Sequence, residues 1–125
     1  MTRAIVLFAH GARDPRWAEP FEAVAGRVRA AAPDCRVALA FLELMAPTLD
    51  AAAAGLVGAG ATRIDVVPLF LGTGGHLRRD LPPLVDGLRA AHPAVDFHLH
   101  AAIGEHAGVV EAMAAAAVAV AGFGE

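Results

Sequence analysis

Two histidines follow apolar runs and sit beside glycines: His10 in IVLFAHGAR and His76 in VVPLFLGTGGHLRRD. Imidazole both binds transition-metal ions and moves protons near neutral pH. A carboxylate, Glu43, interrupts a third apolar run, RVALAFLEL, where a charge is either a surface position or a buried group with a task. Two imidazoles and one carboxylate can hold a divalent transition-metal ion through nitrogen and oxygen, without the grip of thiolate ligands. Cys35 is the only cysteine, which excludes an internal disulfide and a cysteine-based zinc site. Read alone, His10 is a strand-end residue before a turn glycine, and His76 a solvated residue in a Thr73-Gly74-Gly75 loop. What matters is whether the fold brings them to one place.

The elements that would do so alternate along the chain. Ala4 to Ala9 is an unbroken apolar run and reads as a strand. After Pro15, Trp17, Phe21, Val24 and Val28 fall on one helical face. Arg36 to Leu44 reads as a second strand, and Pro47-Thr48 opens an alanine-rich helix that closes near Gly58 and Gly60. Ile64 to Leu71 reads as a third strand. Leu77, Leu81, Leu84 and Leu88 then form a helical stripe whose start is marked by Asp80, Pro82 and Pro83. Val95 to His100 alternates as a short strand, and His106 to Ala121 carries Val109, Val110, Met113, Ala117 and Val120 on one side of a last helix. Four strand–helix units with apolar first and third strands predict an α/β fold: one four-stranded parallel sheet, doubly wound, with helices on both faces. In the order 2-1-3-4 the loops after the first and third strands open a crevice at the carboxyl edge. His10 and His76 lie in those loops, and Glu43 reaches the same edge from the second strand.

The whole chain, 1–125, is the size of one domain with a real core. Its 10 basic and 13 acidic side chains leave a net charge of −3, which argues against a nucleic-acid or anionic-membrane surface. The opening apolar stretch is too short for a signal peptide or a membrane span, so a cytoplasmic location is expected. All basic side chains are arginine. Arg13, Arg16, Arg78 and Arg79 flank the histidine loops and could contact carboxylates of a ligand, although each also reads as a solvated helix start. Leu44, Met45, Leu71 and Leu77 flank the same loops, as pocket wall or as ordinary core.

The phrases AHGARDPRW, AFLELMAPTL and VPLFLGTGGHLRRDLP, in this order over residues 4–100, resemble the small sirohydrochlorin chelatases. These single-domain class II enzymes insert cobalt, nickel or ferrous iron into sirohydrochlorin, a tetrapyrrole on the way to cobalamin and sirohaem. The resemblance implies a flavodoxin-like chelatase fold, a homodimer, and no cofactor beyond the divalent metal substrate. It assigns His10 and His76 as metal-binding and catalytic residues and Glu43 as their acidic partner. A site for such a tetrapyrrole would draw on Arg13, Arg16, Arg78 and Arg79 for its carboxylates and on Leu44, Met45 and Leu71 for its apolar faces, since all of them flank the ligand loops. Ala12 departs from the pattern, standing where such enzymes often carry serine.

The reaction suits the residues. The ion must shed water, and two pyrrole N–H protons must leave; imidazole and carboxylate serve both needs. A non-catalytic metal or tetrapyrrole carrier would use the same ligands, and only turnover separates it. A histidine-dependent phosphatase usually places arginine before its histidine, where this chain has Ala9. Among the other histidines, His98 and His100 share one face of an edge strand, His92 lies at a helix end, and His106 at a helix start.

Overall fold

The computed structural model of the protein describes residues 2–123. Its elements are β1 (Arg3–Ala9), α1 (Glu19–Ala31), β2 (Arg36–Phe41), α2 (Leu49–Gly58), β3 (Arg63–Pro68), α3 (Gly75–Ala91), β4 (Asp96–Leu99) and α4 (Ala107–Val120). Short 3-10 turns at Pro15–Ala18 and Ile103–Glu105 precede α1 and α4. The four strands are parallel in the order β2-β1-β3-β4, as the strand–helix alternation predicts.

Strand pleating divides the side chains between the two faces. Ala4, Val6 and Phe8 of β1, with Ile64 and Val66 of β3, meet Leu49, Ala52, Ala53 and Leu56 of α2 and Leu81, Val85 and Leu88 of α3 in the main core. The alternate residues face α1, where Ala9, Ala18 and Phe41 are buried against Phe21, Leu39, Met45 and Leu69. Thr48 caps α2, its hydroxyl accepting from the Ala51 N–H at 3.2 Å. Such a cap is worth about 1 kcal/mol.

Sequence expectations shift at several points. The face of α1 runs through Ala18, Phe21, Ala25 and Val28, while Trp17 and Val24 are exposed, because the proline-led 3-10 turn changes the helical phase before Glu19. β2 ends at Phe41 and β3 at Pro68, each three residues short of the expected end. Helix α3 starts at Gly75, so His76 belongs to its first turn and not to a loop, and Pro82 and Pro83 lie inside the helix. Both prolines face solvent, where water can take over the carbonyls they leave unbonded. The stripe of α3 uses Val85, not Leu84. Finally, α4 has no buried residue: the apolar side predicted to pack on the sheet is exposed.

Candidate active site

The site is built where β1 ends. Beyond Ala9 the chain must leave the sheet, and two cross-links hold its neighbours at that edge. The Leu42 N–H donates to the Ala9 carbonyl at 2.8 Å, and the Leu69 N–H to the Phe8 carbonyl at 2.7 Å. Past Leu42 the backbone folds into a tight turn in which the Met45 N–H donates to the Glu43 carbonyl at 2.8 Å. Its central residue, Leu44, has φ 67°, the left-handed region that a branched side chain occupies only at a cost of about 1–3 kcal/mol. Gly11 lies directly beneath the Glu43 carbonyl oxygen, so close that a Cβ there would collide with it. The missing side chain of Gly11 thus lets the turn after β2 settle against the end of β1.

The consequence is a histidine–carboxylate pair. His10 Nδ1 lies 3.1 Å from Glu43 Oε1. A carboxylate only accepts, so in the neutral imidazole the tautomer that fits this contact has the hydrogen on His10 Nδ1 and the lone pair on Nε2. The other face of the ring tilts against Phe70, with ring centroids 4.5 Å apart and an interplanar angle of 45°. The Trp17 indole N–H donates to the His10 carbonyl at 2.7 Å and fixes the backbone beneath the ring. The His10 and Glu43 side chains are 45% and 42% exposed. A pair so open to water adds no more than about 1 kcal/mol to stability, so its work is orientation. Carboxylate behind imidazole is the arrangement that raises ligand basicity and fixes ring direction.

His76 is exposed in the first turn of α3 and makes no hydrogen bond to His10 or Glu43. Among the described residues no three His, Cys, Asp or Glu side chains are grouped closely enough to hold an ion. The flanking arginines are exposed. Arg16 is held by Asp14 at 2.8 Å, and its hydrogen bond keeps the Asp14 carboxyl below its usual range. Arg78 donates to the Thr73 hydroxyl at 3.1 Å and approaches Glu105 at 3.7 Å; Arg79 donates to the Gly75 carbonyl at 3.2 Å. Arg13 is exposed at the same edge. Leu44 and Leu71, 63% and 68% exposed, are not core. They stand as apolar surface at the rim, whereas Met45 and Leu77 pack against the cores.

Trp17 and Phe70 are the contributors that sequence reasoning missed. The other histidines have structural partners. His106 caps α4 by accepting from the Gly108 N–H at 3.0 Å; His98 pairs with Asp96 and His100 with Asp65, each at 2.8 Å. Asp65 is buried in the sheet face and also accepts from Arg3 and Arg63. Burial alone would raise its carboxyl, but the bonds from Arg63, His100 and Arg3 outweigh that and hold it well below the usual carboxylate range. Burial pushes the Cys35 thiol up, which makes it a poor nucleophile.

A doubly wound parallel sheet with an oriented imidazole and apolar side chains at its carboxyl edge defines an α/β protein that takes its ligand in the crevice outside the strand ends. More particularly, the chain belongs to the CbiX family, whose model matches residues 4–119. A sirohydrochlorin cobaltochelatase of Methanosarcina acetivorans is 35% identical over 81 residues, 65% of this chain. That match spans 62% of the relative's own length. A crystal structure of a cobalamin biosynthesis CbiX protein from Marinobacter aquaeolei superposes with a TM-score of 0.85 at 34% identity, covering 95% of this chain and 97% of the other. The sirohydrochlorin chelatase SirB of Bacillus subtilis subspecies spizizenii, solved in complex with cobalt, gives 0.82 at 29% identity, covering 97% of this chain and 52% of the other. Among the described residues no helix is long and apolar enough to cross a membrane.

Proposed function

We propose that this protein inserts a divalent metal ion, Co2+, Ni2+ or Fe2+, into sirohydrochlorin, and that it does so as a cytoplasmic homodimer of one-domain units spanning 1–125. The observation that carries the reading is His10, whose Nδ1 is engaged by Glu43 at 3.1 Å while Nε2 is left with a lone pair at the open edge of the sheet. That nitrogen can ligate the incoming ion or accept a pyrrole proton. Glu43 stabilises the imidazolium that forms, and its second carboxylate oxygen remains for the ion. The overall step exchanges one M2+ for two N–H protons, so two acceptors are needed. His76, across the edge on α3, is the second. Half-exposed nitrogen and oxygen ligands favour transfer of the ion over its retention.

The macrocycle is apolar on its faces and anionic at its margin. Leu44 and Leu71 offer exposed apolar surface and Met45 fills in beneath, while Arg13, Arg16, Arg78 and Arg79 supply cations for carboxylates. Co2+ is the first ion to test, because the matched relative is named a cobaltochelatase and the SirB structure holds cobalt.

The test is an anaerobic absorbance time course with sirohydrochlorin in excess over enzyme and each ion in turn, against a no-enzyme control. Multiple turnovers above control are expected. His10→Ala and His76→Ala should each slow insertion by about 100-fold or more while the fold survives. Binding that stops at one equivalent per site would replace the chelatase by a carrier, and full activity in either variant would remove that histidine from the mechanism.

A further inference from the structure

Helix α3 carries His76, Arg78 and Arg79 in its opening turns, and two breaks in the chain set that stretch apart from the rest of the helix. The first break is Pro82-Pro83. Proline has no N–H, so the carbonyls of Arg78 and Arg79 lose the helical donors that residues 82 and 83 would supply, and the pyrrolidine rings crowd those same carbonyls. Half of the backbone bonds that tie the first turn to the next are therefore absent. The second break is the approach through Gly72, Thr73 and Gly74. Gly11 and Gly104 are glycines because a side chain would strike a neighbouring backbone; at Gly72 and Gly74 a Cβ would meet open space, and neither residue has a positive φ. What glycine supplies at these two positions is freedom of the backbone.

On either side of the breaks the chain is fixed. The Gly104 N–H donates to the Phe70 carbonyl at 2.9 Å and its Cα is pressed on the Leu71 backbone, while Leu81, Val85 and Leu88 are buried in the main core. Between these anchors only Thr73 and Leu77 are half-buried, and the rest of 72–80 is exposed. The polar tethers are light: Arg78 donates to the Thr73 hydroxyl at 3.1 Å and faces Glu105 at 3.7 Å, exposed contacts for which water competes. From Pro82 to His76 is about 9 Å along the helix axis, so a bend of about 20° at the prolines moves His76 by about 3 Å.

We propose that Pro82 and Pro83 are positioning residues that act through His76. Together with the glycines they let the turn between them swing toward the end of β1 when metal and tetrapyrrole bind. One movement then brings His76 to the His10–Glu43 pair and Arg78 and Arg79 to the carboxylates of the macrocycle. The reverse swing clears the edge so that the flat product leaves. An unbroken helix would hold the three side chains in one place, either barring entry to the crevice or standing off from the bound ion. The movement rests on the proposed reading of this edge as a metal and tetrapyrrole site.

Hydrogen exchange followed by NMR on the whole chain tests the hinge directly. In the free protein the amides of Arg79, Asp80 and Leu81 should exchange at least about 100-fold faster than those of Val85 and Leu88 in the same helix, and cobalt-loaded sirohydrochlorin should slow the first group selectively. Uniform exchange along α3, or no selective slowing, overturns the proposal. The double variant Pro82→Ala, Pro83→Ala restores both N–H donors at exposed positions. It should raise the melting temperature by about 5 °C or more and bring Arg79–Leu81 exchange to the level of Leu88, yet lower kcat for insertion by about 10-fold without raising KM. Stability and rate moving in opposite directions is a signature that a merely structural role would not give. A variant that melts lower, or that inserts metal at the wild-type rate, overturns the proposal. Turnover in a wild type with uniform exchange would sink the hinge and spare the chelatase; selective slowing by the loaded tetrapyrrole without any turnover would keep the hinge and sink the chelatase.

Discussion

Replacing Gly11 by alanine puts a methyl group into the space held by the Glu43 carbonyl oxygen, with the Glu43 carbonyl carbon at 3.0 Å and Met45 Cγ at 3.2 Å from the new atom. Met45 can swing away, but the carbonyl is backbone inside a strained turn. The turn after β2 must retreat from β1 by about 1 Å, with an overpacking cost of about 1–3 kcal/mol. The His10–Glu43 bond starts at 3.1 Å, the long end of the hydrogen-bond range, so the same retreat breaks it. Thermal unfolding should fall by about 4–12 °C, and the sirohydrochlorin insertion rate by about 100-fold through misplacement of the pair. Gly26→Ala is the matched control: the site on α1 is exposed and open, and helix propensity there favours alanine by about 0.5–1 kcal/mol. The same substitution should thus move melting in opposite directions at the two positions. Wild-type melting and insertion in Gly11→Ala would refute the claim that this close approach sets the pair.

Trp17→Phe keeps the ring beside Phe21 but removes the donor to the His10 carbonyl; denaturant titration should show a loss of about 1 kcal/mol, with a several-fold slower insertion rate. Asp65→Asn should cost about 2 kcal/mol at pH 7, because three cationic or imidazole partners lose their carboxylate. The native carboxyl titrates below its unfolded value of about 3.9, so the unfolded chain binds more protons in acid and the Asp65 contribution is present above that pH. The gap between wild type and Asp65→Asn should therefore narrow as pH falls below about 4. A gap that stays constant from pH 7 to 3 would show that Asp65 acts through packing alone.

The strands and their order were legible because apolar runs and glycine-marked ends report burial directly. Phase was harder: a 3-10 turn before α1 rotates the helix enough to exchange Val24 for Ala25 as the buried position. His10 and Glu43 were legible as polar residues in apolar surroundings. The turn that joins them was not, since nothing in the sequence marks Leu44 as a left-handed residue. Phe70 hid among apolar neighbours and Trp17 read as one position of a helical face; the register that sets Phe8 against Pro68 brings Phe70 to His10, and the 3-10 turn after β1 returns the Trp17 indole to the His10 carbonyl. The prolines of α3 read as a helix start, although solvent exposure lets the helix run through them. For α4, periodicity revealed an apolar side but not which surface it would leave uncovered.

Leu44 also places two kinds of fitness in opposition. A glycine there would relieve the backbone and make the folded state more secure, yet it would loosen the turn that holds Glu43 on His10 and would delete an exposed apolar side chain from the rim. The leucine gives up a margin of robustness in return for a carboxylate that is already aimed when the substrate arrives. Attempts to stabilise this protein by idealising its backbone would meet that trade-off at Leu44 before anywhere else, since it is the only non-glycine residue with positive φ among those described.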